Sequence, residues 1–230
     1  MTKDNQILQD LPFSYLEAAG PKVQKEVHEE MIAEQRRLRE QSLKDSLTGL
    51  LNHGTFFMEA EQLWQETSRT GSPFSFVMLD IDWFKQYNDQ KGHPAGDKVL
   101  LAMTSILQEI ARKNTGMAGR WGGEEFILAL KVNEETACQI AEKIRQEIIA
   151  LNLNVIPPSH SDSAPLTASL GVISSKTQLP FEKLVEGVDR ALYRAKGDRR
   201  GDGVNGRNRV AVYRASDQIE ILKPEPDYVP

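Results

Sequence analysis

The sequence predicts an α/β domain of the α+β kind, with a central mixed, mostly antiparallel sheet flanked by helices, and three observations predict it. Residues 74–82, Phe74-Ser75-Phe76-Val77-Met78-Leu79-Asp80-Ile81-Asp82, form a nearly unbroken apolar run of strand length, which suits a buried central strand. Residues 97–113 and 134–151 carry apolar side chains at a 3.6-residue period, as helices that bury one face do. Between them, Gly122-Gly123 stands between Met117-Ala118-Gly119 and Phe126-Ile127-Leu128-Ala129-Leu130, the pattern of a β-hairpin with a glycine turn.

The chain has 230 residues, 40% of them hydrophobic and 27% charged, which suits one domain with a sizeable core plus extensions. A net charge of -5 leaves no basic surface to displace counterions from many phosphates, so nucleic acid is not an expected partner. Any phosphate ligand must be gripped locally. Cys138 is the single cysteine, which excludes an intrachain disulfide framework and fits a reducing compartment. No apolar run is long enough to span a membrane, and the polar start is no signal peptide, so a cytoplasmic location is expected.

Taken in order, residues 1–21 are broken by Pro12 and Gly20-Pro21 and read as a loosely ordered lead-in. Residues 22–44 lack glycine and proline and are rich in Glu, Gln, Lys and Arg, a helical composition. Val23, Val27, Met31 and Leu38 give that helix a sparse stripe close to a heptad seam, which serves equally a dimerising signalling helix or a solvated one. Residues 45–67 read as a second helical region, ended by Gly71-Ser72-Pro73. After the central strand, residues 83–89 read as turn-rich, and a long helix is expected from Asp97, where a carboxylate suits the positive helix end. Cys138 reads as packing within the 134–151 helix. Residues 152–165 read as a surface loop, in which His160 receives no role, as does His53 earlier. A strand (166–174), a last helix (181–196) and a closing strand (209–213) follow, with a flexible acidic tail from 216 to 230.

The chemistry concentrates where strand ends carry acids. Asp80 and Asp82 end the central strand two residues apart, and hard oxygen ligands there suit Mg²⁺, which usually brings phosphates with it. Asp82 alone also fits a cap for the following turn. Glu124 and Glu125 follow the glycine turn at once; a solvated hairpin tip is the plain alternative for them. Glycine lets a bulky polyanion approach the backbone.

Several ordered motifs together, Asp80-Ile81-Asp82-Trp83-Phe84-Lys85, Asn88-Asp89, Gly92-His93, Gly96-Asp97 and Gly122-Gly123-Glu124-Glu125-Phe126, resemble the GGDEF-domain diguanylate cyclases in the glutamate variant. Asp45-Ser46-Leu47-Thr48-Gly49-Leu50-Leu51-Asn52 resembles the opening motif and Gly206-Arg207-Asn208 the closing one, so the likeness covers about residues 44 to 215. It implies a palm-like nucleotidyl-cyclase fold over 45–215, preceded by a signalling or dimerisation helix. It also implies condensation of two GTP into cyclic di-GMP by a homodimer that meets through its catalytic faces and N-terminal helices, with a signalling partner upstream.

The resemblance further assigns roles. Asp80, Glu125 and the Ile81 carbonyl would hold Mg²⁺, with Mn²⁺ as an alternative, at two ions per site. Glu124 would activate the attacking hydroxyl or hold the second ion. Asn88 and Asp97 would read guanine, Lys196 and Arg207 would neutralise the triphosphate, and Gly122 and Gly123 would let it approach. The stretch 197–205 separates Lys196 from the closing motif further than the family does, so Arg200 competes with Arg207 by spacing; the strand after Arg207 favours the latter. Lys113 and Gly116 stand where many members carry the Arg and Asp of a product-inhibition site, so weak product inhibition is expected. The rival function is a non-catalytic GTP-binding domain that relays its occupancy to a partner.

Overall fold

The apolar run after Pro73 forms a strand buried at every position, and the rest of the domain is laid against it. The computed structural model describes residues 22, 25, 27–34, 43–157, 162–197, 206–214 and 217–223. The chain divides into two units, Met1–Leu43 and Lys44–Pro230. In the first, residues 27–34 are helical, Lys25 pairs with Glu29 at 3.7 Å, and Met31 and Ile32 are exposed. Val23 and Leu38 of the expected stripe lie outside the described residues.

In the second unit the elements run α1 (His53–Thr70), β1 (Ser75–Ile81), α2 (Phe84–Lys91), α3 (His93–Lys113), β2 (Met117–Gly122), β3 (Glu125–Leu130) and α4 (Glu134–Ala150). They continue with β4 (Asn154–Val155), β5 (Ala164–Pro165), β6 (Ala168–Ser174), α5 (Phe181–Ala195), β7 (Val210–Tyr213) and β8 (Ile219–Ile221). Six strands form one sheet in the order β2-β3-β1-β6-β7-β8, antiparallel except for the parallel β6–β7 pair; β4 and β5 form a separate two-stranded ladder.

The two-residue period of β1 divides the core. Val77, Leu79 and Ile81 join Met103 and Leu107 of α3 and Ala141 and Ile144 of α4. Phe76 and Met78 join Phe56 of α1 and Phe181, Leu184 and Val188 of α5 on the other face. This is the mixed, mostly antiparallel sheet between helices that the pattern predicts. No helix among the described residues is long and apolar enough to cross a membrane.

Four boundaries differ from the sequence reading, each for a local reason, and the 152–165 segment read as a surface loop carries the short β4–β5 ladder. The region from residue 45 is not helical until His53: Asp45 Oδ1 accepts from Thr48 N (2.8 Å) and Oγ1 (2.7 Å), forming a turn instead. Asn52 then caps the helix, its side chain accepting from Thr55 N at 3.0 Å. The turn-rich stretch after Asp82 is helix α2, a polar helix in which Phe84 and Tyr87 are buried. Helix α3 begins at His93 rather than Asp97, because Pro94 sits in its first turn where a missing N–H costs nothing. Asp97 is therefore a second-turn residue. The segment expected to be a flexible tail from 216 instead supplies β8: Ile219 and Ile221 alternate with Glu220, which pairs with Arg214 at 3.1 Å across the β7–β8 ladder. Residues 224–230 lie outside the described residues.

Candidate active site

Register places the site. Asp80 on β1 lies opposite Glu125, the first residue of β3, so the end of the central strand and the exit of the glycine turn present one carboxylate each to the same place. Lys196, which caps the C-terminus of α5, inserts its ammonium between them: Nζ is 2.6 Å from Asp80 Oδ2 and 3.8 Å from Glu125 Oε1. Asp80 is buried, and burial pushes its carboxyl up to about 6, with Lys196 opposing the shift and the nearby Glu124 and Glu125 charges adding to it. Glu125 is also raised, first by burial, while Lys196 again opposes and Asp189 and Glu124 add. The cluster holds more negative charge than one lysine neutralises.

The turn is fixed by a clamp that periodicity does not reveal. Gly123 has a φ of +45°, which favours glycine. Arg120 donates from Nε (2.9 Å) and Nη2 (2.7 Å) to the Gly123 carbonyl and from Nη1 to Asp45 Oδ1 (3.0 Å). Leu51 bridges to Gly119 beside it, so the segment after Lys44 is sewn to β2 and to the turn together. A Cβ built at Gly122 or Gly123 would meet nothing within 4 Å, so the turn faces open space. His53 packs edge-on against Trp121, with ring centroids 4.0 Å apart.

Asp82 does not cap α2. It is fully buried and accepts from Thr167 Oγ1 (2.7 Å), Ser169 Oγ (2.8 Å), Asn208 N (2.9 Å) and Arg207 Nη1 (3.2 Å). Arg207 also lies over the Trp83 ring at 4.1 Å. Residues 198–205, and with them Arg200, lie outside the described residues. Their two flanks meet: a Cβ at Gly197 would stand 2.8 Å from the Cα of Gly206. Gly197 and Gly206 are thus in contact, and Arg207 stays at the entrance of β7.

Asn88 and Asp97 stand on the helix pair α2–α3, outside the carboxylate cluster. Among the described residues, Asn88 Oδ1 is the buried side-chain polar atom without a hydrogen-bond partner. It packs against Gly96, where a Cβ would come within 1.8 Å of it, and Asp97 beside Gly96 is exposed. Cys138 is half-buried, and burial pushes its thiol up to about 11, in keeping with packing rather than reactivity.

A profile described as "Diguanylate cyclase, GGDEF domain" matches residues 42–202. The chain belongs to the GGDEF domain family. It is 37% identical over 184 residues to the diguanylate cyclase DgcM of Escherichia coli, a match that covers 78% of this chain but 41% of that protein. The chain therefore spans less than half the length of this relative. Among solved structures, the coiled coil and GGDEF domain of DgcB from Caulobacter crescentus, in complex with c-di-GMP, superposes with a TM-score of 0.71 at 29% identity, covering 86% of this chain and 98% of that one. The active GGEEF domain of a diguanylate cyclase from Vibrio cholerae gives 0.60 at 32% identity, over 73% and 99% of the two chains. Asp80, Glu124, Glu125, Lys196 and Arg207 of this GGDEF domain thus sit on the fold those proteins share.

Proposed function

We propose that this GGDEF domain is a diguanylate cyclase that condenses two GTP into cyclic di-GMP. The observation that carries the reading is the Asp80–Glu125 pair, held in register at the exit of the open glycine turn with one cation already between them. Each 3'-hydroxyl attacks the α-phosphate of the other GTP in line, a P–O bond forms, and pyrophosphate leaves with the electrons of the broken bond. The protein's part is to position the groups and stabilise charge. One domain offers one such site, so the two GTP come from two protomers facing each other, and the exposed Met31 and Ile32 of the N-terminal helical segment suit contact with a partner helix.

The donor set fits a divalent metal. Asp80 Oδ2 and Glu125 Oε1 are hard oxygen ligands that share the Lys196 ammonium, a stand-in cation, and the Ile81 carbonyl lies between Asp80 and Asp82 in the chain. Among the described residues no three acidic, His or Cys side chains form a ready metal cluster, so phosphate oxygens would complete any coordination. When bound, Mg²⁺ or Mn²⁺ would neutralise charge on the attacked phosphate and the leaving oxygen. Lys196, released from the carboxylates, is then free for the triphosphate. Glu124, in the turn itself, takes the proton of the attacking hydroxyl or adds a ligand for a second ion. Arg207 keeps further N–H donors for phosphate beyond the Nη1 that meets Asp82.

Guanine selection falls to Asn88 and Asp97. Guanine offers N1–H and N2–H₂, a pair that adenine lacks, and the exposed Asp97 carboxylate is an acceptor for it, with Asn88 beside it on α2. Replacing Arg120 by Met removes both tethers of the Gly123 carbonyl. Initial rates of cyclic di-GMP formation are expected to fall about a hundredfold from misplacement of the turn, with GTP binding largely kept.

Product inhibition at the upstream position is expected to be weak. Lys113, which pairs with Glu109 at 2.6 Å on the surface, lacks the planar fork of an arginine, and a Cβ at Gly116 would lie 2.2 Å from the Ala129 carbonyl oxygen. Gly116→Asp is therefore expected to lower stability by about 1–3 kcal/mol without gaining product affinity, read by thermal melting and titration with cyclic di-GMP. Tight product binding that Lys113→Ala abolishes would refute this.

The experiment that tests the function is incubation of the full chain with Mg²⁺ and GTP, ATP or both, the nucleotides being resolved by chromatography and mass. Cyclic di-GMP from GTP alone supports the reading. Saturable GTP binding by a confirmed dimer with no product favours the non-catalytic relay instead.

A further inference from the structure

Away from the carboxylate cluster, a tied group of polar side chains starts on α4. Arg145 is buried and forms a two-pronged pair with Glu142, Nε to Oε2 at 2.8 Å and Nη2 to Oε1 at 2.6 Å. Its remaining nitrogen, Nη1, donates to Asn208 Oδ1 at 2.6 Å. Asn208 has a φ of +53°, a backbone that asparagine tolerates better than most residues, and its own N–H donates to Asp82. Its chain neighbour is Arg207. On the other side Arg209 fastens to the Ala195 carbonyl at 3.2 Å. The short segment that carries Arg207 is therefore held by side chains, Asp82 just after β1 and Arg145 on α4, before the ladder with β6 begins at the Arg209 carbonyl, which accepts from Leu170 N at 2.9 Å.

We propose that Arg145 is a positioning residue for triphosphate recognition. Glu142 fixes the guanidinium, the guanidinium holds Asn208 in its left-handed turn, and this sets the direction in which Arg207 leaves the backbone. The inference rests on the reading that Arg207 meets the triphosphate. Only arginine suits the position: its planar fork pairs Glu142 along one edge and still reaches Asn208 with Nη1, which a lysine ammonium cannot do.

The test is calorimetric titration of the full chain, with Mg²⁺, using 3'-deoxy-GTP, which lacks the attacking hydroxyl, and GMP, which lacks the β- and γ-phosphates. Arg207→Ala is expected to weaken 3'-deoxy-GTP about tenfold and GMP little. Arg145→Met and Asn208→Gly are each expected to weaken 3'-deoxy-GTP severalfold, spare GMP, and add nothing once Arg207→Ala is present. Asn208→Gly keeps the positive φ and the N–H to Asp82, so it reads the contact even if Arg145→Met strands Glu142 and harms folding. Effects that are additive with Arg207→Ala, or equal for both ligands, overturn the proposal and leave Arg145 as a packing residue. If Arg207→Ala alone leaves 3'-deoxy-GTP affinity unchanged, the phosphate role of Arg207 falls first and the proposal with it.

Discussion

Replacing Asp80 by Asn is expected to lower the rate of cyclic di-GMP formation by about a thousandfold or more while leaving the fold as stable or more so. The two halves have one cause. Asp80 is the buried member of the carboxylate pair, and its carboxyl is pushed up to about 6 despite the lysine at 2.6 Å. Ionising it within the fold therefore costs more than in the unfolded chain, an effect on the order of 1–3 kcal/mol at neutral pH that a neutral amide avoids. Kinetics with GTP and thermal melting of the same preparation check both. A variant with intact turnover would remove Asp80 from the site.

The same shift fixes a pH dependence. Because the folded carboxyl titrates near 6 and the unfolded one near 3.8, the folded chain binds more protons between these values. Asp80's contribution to stability consequently rises as pH falls through that window, being least favourable above 6. Metal affinity moves the other way, since a proton on Asp80 competes with the cation; below about pH 6 the apparent Mg²⁺ affinity is expected to fall up to about tenfold per pH unit. Mg²⁺ titration of activity at several pH values reads this directly.

Asp82, two residues further on, is expected to behave in the opposite way. Asp82→Ala leaves the hydroxyls of Thr167 and Ser169, the Asn208 N–H and the Arg207 guanidinium without their acceptor, all around a fully buried position. Stranding buried donors and one charge is expected to cost about 3–5 kcal/mol, a loss visible in denaturant titration, and to free the entrance of β7 from β1. If the variant melts like the parent, Asp82 does not organise the closing segment.

The contrast between these aspartates shows where sequence reasoning reaches. The chain signals that acids end a buried strand and that a glycine turn carries two more, so Asp80, Glu124 and Glu125 could be named together from linear patterns. Their division of labour with Asp82 depends on Thr167, Ser169, Arg207 and Asn208, whose bonds span 85 to 126 residues and leave no periodic trace. The Arg120 clamp on Asp45, 75 residues away, is hidden for the same reason. Helix α2 escapes pattern reading because Phe84 and Tyr87 are its buried residues amid polar ones, and β8 because a three-residue edge strand lies just before a proline-containing end. What was legible was set by local chemistry; the remainder was set by tertiary contact.

If the carboxylates of the glycine turn act on GTP bound at the end of β1, turnover depends on Glu124. Side-by-side initial rates of cyclic di-GMP formation by the parent chain and Glu124→Ala, at saturating GTP and Mg²⁺, test it most directly. The turn lies outside the core and Glu124 is half-exposed, so the variant should fold and bind 3'-deoxy-GTP like the parent. The expected result is product from the parent and a loss of at least about a hundredfold in the variant. Equal rates would contradict that dependence.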